Sequence, residues 1–311
     1  MLTAADRALF AHAAAHDSIF CVADAIVAGL REPQIRYRAA RLWERVHDGV
    51  FRVPGAAPSW RGDLRAAVLA AGEGAAISHR SAAALYDVPG GSRAVIELTC
   101  VRWDRASRPG LVVHESRRLG PEDIREVDGI PTTTPELVIL HLAGMRRSAD
   151  FVEMLIHAAR RKRLITYEST RMTFERHARR GVHGTRVMRA ALERWDPAQR
   201  PTESEMETLL LQAIREHGLA EPVLQFEVRD ARGVFVARVD AAYPDSLLAL
   251  EYDSKQEHSD EFQLAGDARR RNALAALGYR TLSARHDDLK QGGAELCRQI
   301  RTILRAPRIP A

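Results

Sequence analysis

At 311 residues, of which 46% are hydrophobic, the chain is too long for one ordinary compact domain and too apolar to be disordered. No apolar run approaches the roughly 20 residues of a membrane-spanning helix, and the opening stretch, MLTAADRALFAHAAAHD, carries charge inside its apolar pattern and makes a poor signal peptide. The formal charge of +5 is almost all arginine, with lysine only at Lys162, Lys255 and Lys290, and Cys21, Cys100 and Cys297 stand in no metal-ligand spacing, as expected of reduced thiols in a cytoplasm.

In chain order, residues 4–15 are Ala-rich and helical, and 22–30 form a second short helix ending near Gly29. Residues 33–42 form a third, with Pro33 in the first turn, where proline is tolerated. Residues 43–47, Asp48-Gly49 and 50–53 then read as strand, tight turn and strand. Three short helices and a hairpin are the order of a winged helix-turn-helix, expected over residues 1–56. Its third helix is the one that enters a major groove, so Arg36, Arg38 and Arg41, with Arg31 and Gln34 near the helix start, are candidate DNA contacts. Arg45 and Arg52 would sit on the wing, near phosphates. The other reading is a small helical domain that only mediates protein contacts. The third helix followed by WERVHDGVFRVPG is similar to the N-terminal domain of AbiEi-family antitoxins, the transcription-regulating partners in type IV toxin–antitoxin systems. That resemblance implies promoter DNA as ligand and a nucleotidyltransferase-like toxin as cognate partner.

Residues 57–147 are expected to form a central α/β domain, with strands at 94–101 and 111–114 and a helix opening at Thr134-Pro135. Ser78, His79 and Ser81 have neither an acidic partner nor a Gly-x-Ser-x-Gly elbow beside them, and read as capping and core residues. The serine-histidine-x-serine-alanine run and the later Gly-Ile-Pro-Thr-Thr resemble segments that accompany the same antitoxin-type proteins. Residues 148–196 read as a separate basic helical segment whose arginines either track a nucleic-acid backbone or face solvent.

The C-terminal domain is expected over residues 197–311. A helix follows Ser204, which stands in capping-box spacing with Glu207. Strands at 224–229, 234–239 and 247–253, a helix at 262–277 and a strand at 279–282 come next. If the second and third strands form a hairpin around residues 243–246, Asp240 lies opposite Glu251, while Glu251, Asp253 and Lys255 share one face and Leu250 and Tyr252 the other. Like charges so close repel unless a cation sits between them. Magnesium, a hard ion that prefers carboxylate oxygen, is the candidate, with manganese as the alternative. A solvated acidic hairpin is the plainer reading.

Helix, three antiparallel strands, helix, strand is the core order of restriction-endonuclease-like folds. Ser204-x-x-Glu207, Gln225, Val239-Asp240, Glu251-Tyr252-Asp253, His258, Asp267 with Arg270, and Leu277-Gly278-Tyr279-Arg280 resemble the PD-(D/E)XK superfamily, and within it the branch similar to very-short-patch-repair (Vsr) endonucleases. The resemblance implies that Asp240, Glu251 and Glu207 hold the metal, and that Asp253 stands where the wider superfamily has its lysine. His258 would then be a general base or hold a water, and Lys255 a substitute for the missing lysine. The expectation is therefore an α+β multidomain protein that binds double-stranded DNA and hydrolyses it with Mg2+; the alternative is a non-catalytic AbiEi-like regulator.

Overall fold

The computed structural model describes residues 2–103, 110–146, 148–179, 181–195, 204–253 and 261–306, and of residues 253 and 261–268 the backbone only. It is a mixed α/β protein that divides into two units, Met1–Ala198 and Gln199–Ala311. No helix among the described residues is long and apolar enough to cross a membrane.

The first unit begins with α1 (Ala4–Ala14), β1 (Ile19–Cys21), α2 (Val22–Val27), α3 (Glu32–Arg41), β2 (Glu44–His47) and β3 (Val50–Arg52). The strands form an antiparallel sheet in the order β1-β3-β2. Three residues carry no readable period, so β1 escapes the sequence and forms only because β3 is there to pair with it. Phe51 on β3 packs with Phe20 and Trp43 under the helices, the Phe20 and Trp43 rings edge to face at 4.9 Å. Alternation then turns Val50 and Arg52 to the sheet's other face.

That face is covered by α4 (Trp60–Ala71), whose Ala66 and Ala70 lie against Ile19 and Val50. The approach is close: a β-carbon on Gly62 would meet the Asp17 carbonyl at 3.1 Å. Leu64, Ala67 and Val68 of the same helix belong to a second, larger core. That core is built on β4 (Ala76–Ile77), α5 (His79–Leu85), β5 (Ile96–Cys100), β6 (Leu111–Glu115), β7 (Ile124–Val127) and β8 (Ile130–Thr133), and completed by α6 (Pro135–Arg146), α7 (Ala149–Arg161), α8 (Tyr167–His177) and α9 (Thr185–Arg194). The five strands run in the order β6-β5-β4-β8-β7. Arg65 spans the two halves, donating to the Asp17 carboxylate at 3.1 Å and to the Gly129 carbonyl at 2.8 Å. Residues 57–71 thus pack on the N-terminal sheet as well as on the middle of the chain. The stretch expected as a separate basic segment supplies Val152, Leu155, Ile156, Met188, Ala191 and Leu192 to the larger core.

The second unit runs α10 (Glu205–Glu216), β9 (Val223–Arg229), β10 (Phe235–Tyr243), β11 (Leu248–Asp253), α11 (Glu261–Ala276), β12 (Arg280–Arg285), α12 (His286–Lys290) and α13 (Ala294–Arg305). Its sheet has the order β12-β11-β10-β9, an antiparallel meander extended by β12 parallel to β11. A parallel neighbour needs a crossover, and α11 provides it. One face of the sheet packs with Leu210 and Ile214 of α10 and with α13, the other with Leu274 of α11.

In the first unit, α1 and α3 are joined by Arg38, whose Nε and Nη2 donate to the two oxygens of Asp6 at 2.7 and 3.0 Å. Arg38 holds the Asp6 carboxyl well below the usual carboxylate range, against the opposing pull of burial. Arg38→Ala strands a buried carboxylate and is expected to cost about 2–3 kcal/mol of stability. Arg36→Ala, which loses only an exposed pair with Glu32, should stay within about 0.5 kcal/mol. Urea unfolding followed by tryptophan fluorescence measures this for the first unit alone, since all four tryptophans, Trp43, Trp60, Trp103 and Trp195, lie in it.

Candidate functional site

In the second unit the acidic residues gather where the sheet changes its pleat. Val239 packs on the α11 face, yet Ala241, two residues on, packs on the α10 face. Regular alternation would keep them together. The β9–β10 ladder steps over the pair Asp240 and Gln225, and Gln225 has φ +50°, the left-handed region that a residue with a β-carbon enters only under constraint. Here Asp240 is freed from strand pairing, and its Oδ2 accepts the Tyr252 amide at 2.9 Å in place of a ladder carbonyl. The β10–β11 register, Ala241 to Leu250 and onward, sets Asp240 across from Glu251 when continued by one step.

Glu207, on the first turn of α10, is 1% exposed, and its carboxylate accepts from the Gln225 side-chain amide. Ser204 caps the helix by accepting the Glu207 amide at 3.2 Å, so the capping spacing is used through the Glu207 backbone while its side chain turns to β9. Glu251 is held by Arg270 of α11, whose Nε lies 3.0 Å from Oε1 and whose Nη2 also donates to it. The Tyr252 hydroxyl is buried, with no hydrogen-bond partner among the described residues. Burial first, and then the Glu207 and Asp240 carboxylates, push its pKa up, so the phenol keeps its proton. Among the described residues Glu207, Asp240 and Glu251 are not drawn within one ligand-sharing distance of 4.8 Å. Asp253 is described by its backbone alone, and Lys255 and His258 lie outside the described residues.

In the first unit, α3 sorts the expected DNA contacts into two groups. Arg36 and Arg41 are on its exposed side with Tyr37, the Arg41 guanidinium lying 5.0 Å over the Tyr37 ring. Arg31 is exposed at the helix start, and Gln34 accepts the Arg31 amide at 2.9 Å, which makes it a cap. Arg45 is exposed on the hairpin, 3.6 Å from Asp48. Two expected contacts are corrected. Arg38 lies one turn from the buried Ile35, faces inward and is committed to Asp6. Arg52 is on the face covered by α4, its side chain 7% exposed, and is paired with Glu44 and with Asp63 of α4, so it is no wing-tip phosphate contact.

One cluster was read from the sequence as ordinary core. His79, at the start of α5, stacks on His114 of β6 with centroids 3.5 Å apart, and on its other side against His141 of α6 at 4.0 Å. Glu97 of β5, 1% exposed, lies beside them, salt-bridged to Arg80. Sequence separations of 17 to 62 residues hid the group; the cross-strand match of Thr99 with His114 creates it. The available signal was a buried charge on β5, where Ile96-Glu97-Leu98 interrupts an apolar strand.

Burial, then repulsion from His114 and His177, lowers the His141 pKa to about 3, and burial also depresses that of His79. The folded state therefore refuses protons that unfolded imidazoles accept below about pH 6.5. The stability these rings contribute is fully present above that pH and is lost as pH falls toward 3, at up to about 1.4 kcal/mol per pH unit for each ring. His141→Phe should flatten the fall, read by tryptophan-monitored unfolding at pH 7.5, 6 and 5; an unchanged slope refutes the assignment.

No family model matches the chain, and no solved structure does. Two proteins of Mycobacterium tuberculosis are similar to it: Uncharacterized protein MT2308 of strain CDC 1551 / Oshkosh and Uncharacterized protein Rv2248 of strain ATCC 25618 / H37Rv. Each is 30% identical over 191 residues, an alignment covering 61% of this chain and 67% of the relative. The chain belongs to the family of these two mycobacterial proteins.

Proposed function

We propose that this protein binds double-stranded DNA in the cytoplasm through an N-terminal winged helix, and that its second unit is a Vsr-like domain of the PD-(D/E)XK type that hydrolyses DNA with Mg2+ or Mn2+. The observation that carries the catalytic part is the pleat change at Asp240. It frees one carboxylate from strand pairing, opposite the next acid in register, with Glu207 reaching Gln225 at the same break. Helix, antiparallel meander, helix and parallel strand agree with the core order of that superfamily. Helix, strand, two helices and hairpin agree with a winged helix whose third helix keeps Arg36 and Arg41 in solvent.

The residues fit a hard divalent ion in donor chemistry. All three are carboxylates, and the buried Tyr252 hydroxyl near Glu207 and Asp240 lacks a partner among the described residues, as an ion-bound water would supply. Asp240, Glu251 and Glu207 would hold the ion, which supplies a water of lowered pKa and neutralises charge on the phosphodiester. Tyr252 remains a proton donor throughout. Gln225 orients Glu207, and the Tyr252 amide orients Asp240. Arg270 has to leave Glu251 for that carboxylate to take up a metal; its side chain is 40% exposed and has room to turn toward phosphate.

That same ion pair favours a second reading. With Arg270 already neutralising Glu251, the unit serves as a non-catalytic recognition module and the protein as an AbiEi-like regulator acting with a nucleotidyltransferase-like toxin. Incubation of the purified protein with supercoiled and linear DNA and 5 to 10 mM Mg2+ or Mn2+, as assay conditions, separates the two. Cleavage lost in Asp240→Asn supports the nuclease, and DNA binding without cleavage supports the regulator. For the shared DNA-binding step, Arg36→Ala and Arg41→Ala should each weaken binding and lower the slope of log affinity against log salt by about 1. Gel shifts across a salt series read this, and slopes equal to wild type would remove α3 from the interface.

A further inference from the structure

We propose that His79, Glu97 and His114 form a binding site for a divalent transition-metal ion, and that zinc is the ion it takes. The site lies in the first unit and is independent of the acidic cluster in the second.

Ligand atoms of these three residues lie within 4.8 Å of one another. His114 Nε2 is buried, has no hydrogen-bond partner among the described residues and is 3.8 Å from Glu97 Oε2. That separation is too long for a hydrogen bond. It suits two donors that each stand about 2.1 Å from a shared ion. A buried, unbonded imidazole nitrogen aimed at a buried carboxylate calls for an occupant between them.

The surroundings orient the ligands as metal sites do. His79 Nδ1 is 2.8 Å from Ser78 Oγ, which in turn accepts from Thr99 Oγ1 at 2.8 Å. With Nδ1 committed, Nε2 is the nitrogen left to coordinate. The Arg80 amide donates to Glu97 Oε2 at 3.2 Å and Arg80 Nε to Oε1 at 2.5 Å, which fixes the carboxylate in place.

Two nitrogens and one oxygen, with a coordination position left open, is a donor set of zinc and not of magnesium, which seeks oxygen alone. Arg80 offsets part of the Glu97 charge, so imidazole affinity rather than net charge is the attraction. The His79 and His114 rings are only 16° from parallel, and lone pairs in two stacked planes do not converge on one point. Binding therefore turns His114 out of the stack; its side chain, 33% exposed, is the one with room to move.

The test uses the full chain, stripped with chelator and titrated with Zn2+ or Co2+ alone. Expected in wild type are a stoichiometric zinc isotherm, a thermal shift of the tryptophan signal, a four-coordinate Co2+ absorption spectrum and changed His114 ring resonances. In His114→Ala zinc affinity should fall about tenfold or more, and in Ser78→Ala by about tenfold, with circular dichroism unchanged. Glu97→Gln should alter the Co2+ spectrum even if it folds less stably. Asp240→Asn, in the other unit, should bind zinc as wild type does. Failure of wild type to bind zinc, or binding unaffected by His114→Ala, overturns the proposal whether or not the protein cleaves DNA.

Discussion

Helix α4 presents apolar residues on two sides, and each side requires a partner of its own. Ala66 and Ala70 are small enough to let the helix lie close on β1 and β3, while Leu64, Ala67 and Val68 reach into the five-stranded sheet. Arg65 adds hydrogen bonds in both directions. One consequence is that the small N-terminal sheet has no free face, with helices and aromatic rings on one side and α4 on the other. Such a sheet could not bury enough surface alone. Of the arginines expected to meet DNA, Arg36 and Arg41 stay exposed on the outer side of α3 and Arg45 on the hairpin strand β2.

In the second unit the governing constraint is the alternation of side chains along a strand. A hairpin that kept strict period two could not pack Val239 and Ala241 on different faces. The irregularity shared by Gln225 and Asp240 resolves this at the cost of a strained backbone, and leaves two polar side chains outside the ladder. Glu207 and the Tyr252 amide then become their partners. Polar groups collect at this point because the sheet cannot satisfy them by pairing. The histidine stack of the first unit arises differently: β5 and β6 run side by side, so Glu97, Thr99 and His114 share a face, and α5 and α6 bring one imidazole each.

Much of the secondary structure was legible. The hairpin at Asp48-Gly49, the helix opening at Pro135 and the helix–meander–helix–strand order of the second unit follow from turn residues and periodicity. What escaped had too little local signal: β1 and β4, at three and two residues, exist only through their neighbours. The inward direction of Arg38 was readable from its spacing to Ile35, whereas nothing near Arg52 announced that α4 would bring Asp63 over it.

By itself the sequence determined the things that depend on neighbours a few residues apart: helix periods, turns, caps, and the register that sets Asp240 across from Glu251. Only the tertiary structure decided which charges remain open to a ligand. Arg38, Arg52 and Glu251 each meet an opposite charge 11 to 32 residues away or across a hairpin, and His79 meets His114 and His141 across a sheet. Electrostatic and stacking contacts act through space, so residue type alone does not reveal them until the chain has closed.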